Sequence, residues 1–223
     1  TLSLHDALPI LKDVSIAFGS TPVLSHASLA IDEHDFMGVQ GPNGSGKSVL
    51  FKLIVGFLKP DSGRVVVSPK LKSAGEDFPS KIGIIIDRPG FIGGLTGFDN
   101  LRRLASIRGL IGDQQIEEAL HRVGLAPNLR QSVRHYSLGM KQKLALAQEF
   151  MEGQPLLLLD EPFNGLDKTS VRDIRALLLE LHEEGRTIVM TSHNQEDIDE
   201  LCTSVYELDR MQFDRVRPPV SAS

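Results

Sequence analysis

Eight consecutive residues, Gly41-Pro42-Asn43-Gly44-Ser45-Gly46-Lys47-Ser48, combine three types that suit a polyanion, glycine, lysine and serine, and a helical run follows them. They match the spacing G-x-x-x-x-G-K-[ST], and they stand between an apolar run, Phe36–Gln40, and a helical run that opens at Val49 and closes at Gly56. Glycines allow successive backbone N–H groups to turn inward around phosphates, and the helix start adds a partial positive charge behind them. Lys47 brings a point charge for the outer phosphates, and the Ser48 hydroxyl suits Mg²⁺. A nucleotide held between Gly41 and Val49 is the expectation. The loop does not fix the chemistry, because kinases, GTPases, helicases and transport ATPases share it.

A second group of acids narrows the choice. Leu156-Leu157-Leu158-Leu159 is a strand-sized apolar run that ends in Asp160-Glu161, and in open α/β sheets ligands sit at the carboxyl ends of such strands. Asp160 is expected to hold Mg²⁺ and Glu161 to act as general base on an attacking water. His193 follows another apolar strand, Thr187–Thr191, and is expected to sense the terminal phosphate by a hydrogen bond. The other six histidines have no such context.

The elements needed to position these groups can be read from periodicity. Phe36–Gln40, Ile82–Ile86, Leu156–Asp160 and Thr187–Thr191 have the composition of buried parallel strands. Leu11–Ala17, Ser28–Ile31 and Arg64–Val67 suit an antiparallel sheet beside them, with a turn at Asp61-Ser62-Gly63. From Gly90 to Gly153 the pattern is helical only, which marks a lobe inserted between two core strands. Within it, Thr96 with Asp99 resembles a capping box before Leu101, Leu104, Ala105 and Ile107. Asp113 is expected to cap the next helix, whose stripe Ile116, Leu120 and Val123 ends at Gly124. The fold class is therefore α/β, a phosphate-loop core with a mainly parallel sheet, an antiparallel β part near the N-terminus and an inserted helical part. The expected division is 1–89 with 154–216 for the core, 90–153 for the helical part, and 217–223 for a loose tail.

Bulk composition excludes little and supports this. The chain's 223 residues carry 24 basic and 29 acidic side chains, a net charge of −5, so there is no global footprint for nucleic acid. Its apolar runs are far shorter than the ~20 residues a membrane helix requires, and Thr1–Pro9 lacks the features of a signal peptide. Cys202, the single cysteine, cannot form an internal disulfide and reads as a buried, inert thiol compatible with a reducing cytosol.

Taken in order, these motifs resemble the ATP-binding cassette family, and the discriminating segment is Tyr136-Ser137-Leu138-Gly139-Met140-Lys141-Gln142-Lys143. It resembles the family's signature, usually L-S-G-G-Q, with Leu138 and Met140 in place of the commoner glycine and glutamine. The resemblance spans nearly the whole chain and takes in Asn164-Gly165-Leu166-Asp167 as a D-loop and His193 as the switch histidine. It implies an ATPase that uses ATP and Mg²⁺, in which Ser137 and Gly139 face the γ-phosphate of a partner's ATP and Asp167 belongs to the same interface. An ordinary helix start with Ser137 as N-cap is the rival use of that segment. The resemblance also places Phe18 under adenine, the rival being a core phenylalanine. It puts Asp87 where the family usually has the Q-loop glutamine, near Mg²⁺ and the nucleotide. Ile82 to Phe91, together with the signature, resembles the subgroup that exports peptide antibiotics and lantibiotics. The partners so implied are a transmembrane permease subunit and a second cassette, expected to be identical, with the chain on the cytoplasmic face of the membrane. The alternative is a non-transport cassette ATPase acting on ribosomes or DNA.

Overall fold

The alternating faces of a few short strands dictate how this molecule is layered. A computed structural model describes residues 7–73, 75–76, 78–86 and 90–218. In chain order the elements are β1 (Ala7–Phe18), β2 (Thr21–Asp32), β3 (Phe36–Gln40), α1 (Lys47–Ile54), β4 (Ser62–Val66), β5 (Ile82–Ile85), α2 (Gly97–Arg108), α3 (Asp113–Arg122), α4 (Leu138–Phe150), β6 (Leu156–Asp160), α5 (Lys168–Glu183), β7 (Thr187–Thr191), α6 (Gln195–Leu201), β8 (Ser204–Asp209) and β9 (Gln212–Arg217). One sheet has the order β5-β6-β7-β3-β8-β9, with every pairing parallel except β8 with β9. A smaller antiparallel sheet has the order β2-β1-β4.

Strand β6 shows the layering best. Leu157 and Leu159 join a buried cluster with Leu144, Ala147 and Phe150 of α4 and Ile174 and Leu178 of α5. Leu156 and Leu158 face the other way, into a cluster with Leu50, Phe51 and Leu53 of α1 and Leu11, Val14 and Leu29 of the antiparallel sheet. Because both faces of the parallel strands are covered, their sequences are continuously apolar instead of alternating. Helices α2, α3 and α4 fall between β5 and β6 in sequence, and the last of them lies across β5.

At that crossing Gly83 is needed, because a Cβ there would collide with the carbonyl oxygen of Glu149. Glu149 is buried; its Oε2 accepts from the Ile84 N–H at 2.6 Å, and its Oε1 accepts from Gln148 Nε2 at 2.9 Å. Desolvation pushes its carboxyl up to about 8 from an ordinary 4.5, with a small further push from Glu152. Among the described residues β5 is an edge strand, so this side chain satisfies a backbone donor on the strand's unpaired side.

Several expectations shift. The strand beginning at Ile82 stops at Ile85, and the helix after the glycine loop runs from Lys47 to Ile54. Thr96 caps α2 by accepting from the Asp99 N–H at 3.0 Å, but the Asp99 carboxylate accepts from the Thr96 hydroxyl instead of returning to its backbone. Gly112, not Asp113, is the N-cap of α3; Gln115 accepts from its N–H at 3.0 Å, and Asp113 pairs with Arg102. Ile107 is 77% exposed and does not join the stripe of Leu101 and Ala105. Ile116, Leu120 and Val123 are buried, and Gly124 adopts φ 71° just after α3. Arg217 closes β9 and donates to the Cys202 carbonyl at 3.0 Å. The Cys202 thiol is buried, pushed up to about 12 by desolvation.

Strands β8 and β9 were not foreseen. Their hairpin turns through Arg210 and Met211, with φ of 45° and 68°, so both residues of a two-residue turn are left-handed without glycine or asparagine. The composition that normally marks such a turn is missing.

Candidate functional site

The glycine loop follows β3 directly and leads into α1, whose first turn carries no acid. Gly41, Gly44 and Gly46 have φ of 145°, 79° and 112°. Two of them are also sterically required. A Cβ on Gly41 would stand 2.7 Å from the Leu208 carbonyl oxygen, and one on Gly46 would stand 2.6 Å from Val23 Cγ1. The backbone thus winds tightly over β8 and β2, and the Lys47 ammonium folds back to donate to the carbonyls of Gly41 at 2.8 Å and Pro42 at 3.0 Å. The Ser45 hydroxyl is buried with no hydrogen-bond partner among the described residues.

Opposite the loop stand the acids. The Ser48 hydroxyl donates to Asp160 Oδ2, and the Thr191 hydroxyl donates to Asp160 Oδ1 at 2.6 Å. Thr191 Oγ1 also accepts from the Glu161 N–H at 3.0 Å. Glu161 itself has φ 50°, a left-handed conformation uncommon for a residue with a Cβ and often associated with functional sites. Its Oε2 lies 2.8 Å from His193 Nδ1; the carboxylate is 20% exposed and the imidazole 68%. Phe18, Val23, Asn43, Lys47, Asp160 and Glu161 border one cavity of about 410 Å³. Phe18 is half exposed at its rim, which rules out the core alternative.

This chemistry fits Mg²⁺ bound together with a phosphate chain. Among the described residues there is no group of three or more His, Cys, Asp or Glu side chains that could cage a metal alone. Mg²⁺ does not need one: it keeps several waters and takes one or two carboxylates plus phosphate oxygens. Ser48 and Asp160, already in contact across the loop, would supply the protein's share. Asp87 lies outside the described residues.

A second cavity, about 380 Å³, collects the remaining sequence candidates. Ser137, Gly139, Lys143, Gly165 and Asp167 border it, and none of them borders the first. Ser137 is the N-cap of α4, its Oγ accepting from the Met140 N–H at 3.1 Å. Gly139 and Gly165 are pressed together: a Cβ on the former would meet the Gly165 carbonyl at 2.9 Å, and one on the latter would meet Leu138 Cδ2 at 2.5 Å. Asp167 caps α5, taking the Ser170 N–H at 2.9 Å and its hydroxyl at 3.1 Å. Those two bonds hold its carboxyl below the usual range. Gln142 ties this region to the first, donating to the Pro162 carbonyl at 3.0 Å beside Glu161.

Sequence reasoning did not find Thr191 or Gln142. Thr191 could be found only by knowing that β6 and β7 pair in the register Asp160↔Thr191. A larger cavity of about 530 Å³, bordered by Leu58, Arg64 and Phe78, contains none of these groups.

The ABC transporter family profile matches residues 24–164. The chain is 38% identical to the uncharacterized ABC transporter ATP-binding protein YdbJ of Bacillus subtilis (strain 168), over 89% of this chain and 66% of that protein. It is 38% identical to the bacitracin transport ATP-binding protein BcrA of Enterococcus faecalis, over 86% of this chain and 63% of that one. The lantibiotic transport ATP-binding protein SrtF of Streptococcus pyogenes is 30% identical over 86% of this chain and 82% of its own length. The chain thus spans slightly less than two thirds of YdbJ and BcrA. Among solved structures, an ATP-binding subunit of an ABC transporter superposes with a TM-score of 0.84 at 26% identity, covering 94% of this chain and 90% of that one. A dimeric post-hydrolysis state of the cassette MJ0796 bound to ADP and Pi superposes with 0.81 at 24% identity, covering 95% and 100%. The ribosome or DNA alternative finds no support among these likenesses.

Proposed function

This chain belongs to the ABC transporter family, and on that premise we propose that it binds and hydrolyses ATP to drive a separate transmembrane partner. The observation that carries the reading is the bond from Ser48 of the glycine loop to Asp160 at one cavity, which Glu161 also borders while its carboxylate meets His193.

In this reading the N–H groups from Gly44 to Ser48 surround the phosphates, and Lys47 turns from its two carbonyls to the outer phosphates. Phe18 stacks against the base. When bound, Mg²⁺ neutralises charge on the phosphate oxygens and orients them for in-line attack. Glu161 accepts the proton of the attacking water, and His193 holds the Glu161 carboxylate through Oε2, leaving Oε1 for that proton.

The second cavity supports a partnership with another cassette. Ser137 and Gly139 at the start of α4 are available to the terminal phosphate of a second copy's ATP, with Asp167 beside them. Two copies closing head to tail would complete both sites, and the helical part, 90–153, would pass that closure from Phe91–Asn100 to a permease subunit. The dimeric MJ0796 cassette supports the pairing, and the names of BcrA and SrtF support peptide antibiotics as cargo. Among the described residues no helix is long and apolar enough to cross a membrane.

The test is nucleotide binding and phosphate release by the purified chain at high concentration. ATP should bind with Mg²⁺, and Glu161→Gln should lower phosphate release by about 10²-fold or more while binding persists. Unchanged release in that variant, or no ATP binding by the wild type, contradicts the reading.

A further inference from the structure

We propose that Thr191 is a positioning residue for Mg²⁺–nucleotide, its one hydroxyl setting both the metal-side carboxylate of Asp160 and the backbone of Glu161. The proposal rests on the ATP-binding reading above and assigns a role to a side chain that none of the sequence motifs includes.

Thr191 is the last residue of β7, fully buried, and pairs with Asp160 on one side and Val39 on the other. Its Oγ1 has a single proton and gives it to Asp160 Oδ1 at 2.6 Å. A lone pair of the same oxygen accepts the Glu161 N–H at 3.0 Å. With Oδ1 engaged, the Asp160 carboxylate cannot rotate freely, and Oδ2 stays turned toward Ser48. The same oxygen supports the left-handed backbone of Glu161, whose φ is 50°. Two residues further on, His193 meets the Glu161 side chain at 2.8 Å. One strand end therefore fixes the metal-side acid, the peptide after it, and the carboxylate of the base.

The hydroxyl, and not the bulk, is the operative part. Valine at 191 would keep the shape and lose both bonds, leaving Asp160 Oδ1 and the part-buried Glu161 N–H without this partner. Partners behind a metal ligand commonly change metal affinity or activity by 10- to 100-fold, and a loss on the order of 10-fold is expected here.

The experiment titrates Mg²⁺ against a fluorescent ATP analogue, with wild type, Thr191→Val and Thr191→Ser compared and folding checked by thermal unfolding. Thr191→Val should raise the half-saturating Mg²⁺ concentration about 10-fold, and at saturating Mg²⁺ it should lower kcat with little change in KM for ATP. Thr191→Ser, which keeps the hydroxyl, should stay within about 3-fold of wild type. If Thr191→Val does not fold, Thr191→Cys carries the same expectation, since a thiol is a weak donor and acceptor. Wild-type Mg²⁺ dependence in the valine variant, or a serine variant as impaired as the valine one, overturns the proposal alone. A wild type with no Mg²⁺-dependent nucleotide binding overturns the ATP reading and this proposal with it.

Discussion

Glu161, the base in the proposed reading, combines a carboxylate with a left-handed backbone, and the two have separate consequences. Its carboxylate is held by His193 and its N–H by Thr191, so the side chain projects from a rigid support. His193→Ala should release the carboxylate and lower phosphate release on the order of 10²-fold, with ATP affinity changed by less than about 3-fold; parallel binding and turnover measurements check this. At this scale the sequence was informative wherever chemistry depends on local spacing. Lys47, Ser48, Asp160, Glu161 and Phe18 border one cavity because loop, strand end and rim each carry their own signature. Thr191 was not legible, since its role depends on the pairing of β6 with β7, which no local pattern encodes. Ser137 and Asp167 turn out to be helix caps whose positions beside the second cavity only the fold reveals.

Among the elements, four strands were legible from their apolar runs, because burial on both faces leaves a continuous hydrophobic stretch. The β8–β9 hairpin was hidden by its turn. Replacing Arg210 with Asn and Met211 with Gly should stabilise the chain by on the order of 1 kcal/mol, since both positions have positive φ. A higher midpoint in urea with an unchanged slope would bear this out, and a lower one would refute it. The crossing of α4 over β5 is the other sensitive joint. Gly83→Ala forces a methyl group into the Glu149 carbonyl and should cost about 1–3 kcal/mol, read as a lower urea midpoint.

For the molecule as a whole, the buried Glu149 gives stability a pH signature. Its carboxyl binds a proton more tightly folded, at about 8, than unfolded, at 4.5. The stability contributed by the protonated form is therefore complete below about 4.5 and is lost as pH rises through about 8. Urea unfolding between those limits should show stability falling with pH, on the order of 1 kcal/mol per unit at most, and Glu149→Gln should flatten that fall. The burial of Glu149 could not be foreseen, because the helical pattern around it says nothing about an edge strand lying beneath.

In the proposed function the two cavities are the two halves of an ATP site split between two copies. Size-exclusion chromatography of Glu161→Gln, with and without ATP and Mg²⁺, tests it most directly, because removing the base should trap the closed pair. The expected outcome is a monomer that becomes a dimer only with ATP and Mg²⁺, and a dimer that disappears when Ser137→Arg is added. A protein that binds ATP and Mg²⁺ yet stays monomeric at every concentration would contradict it.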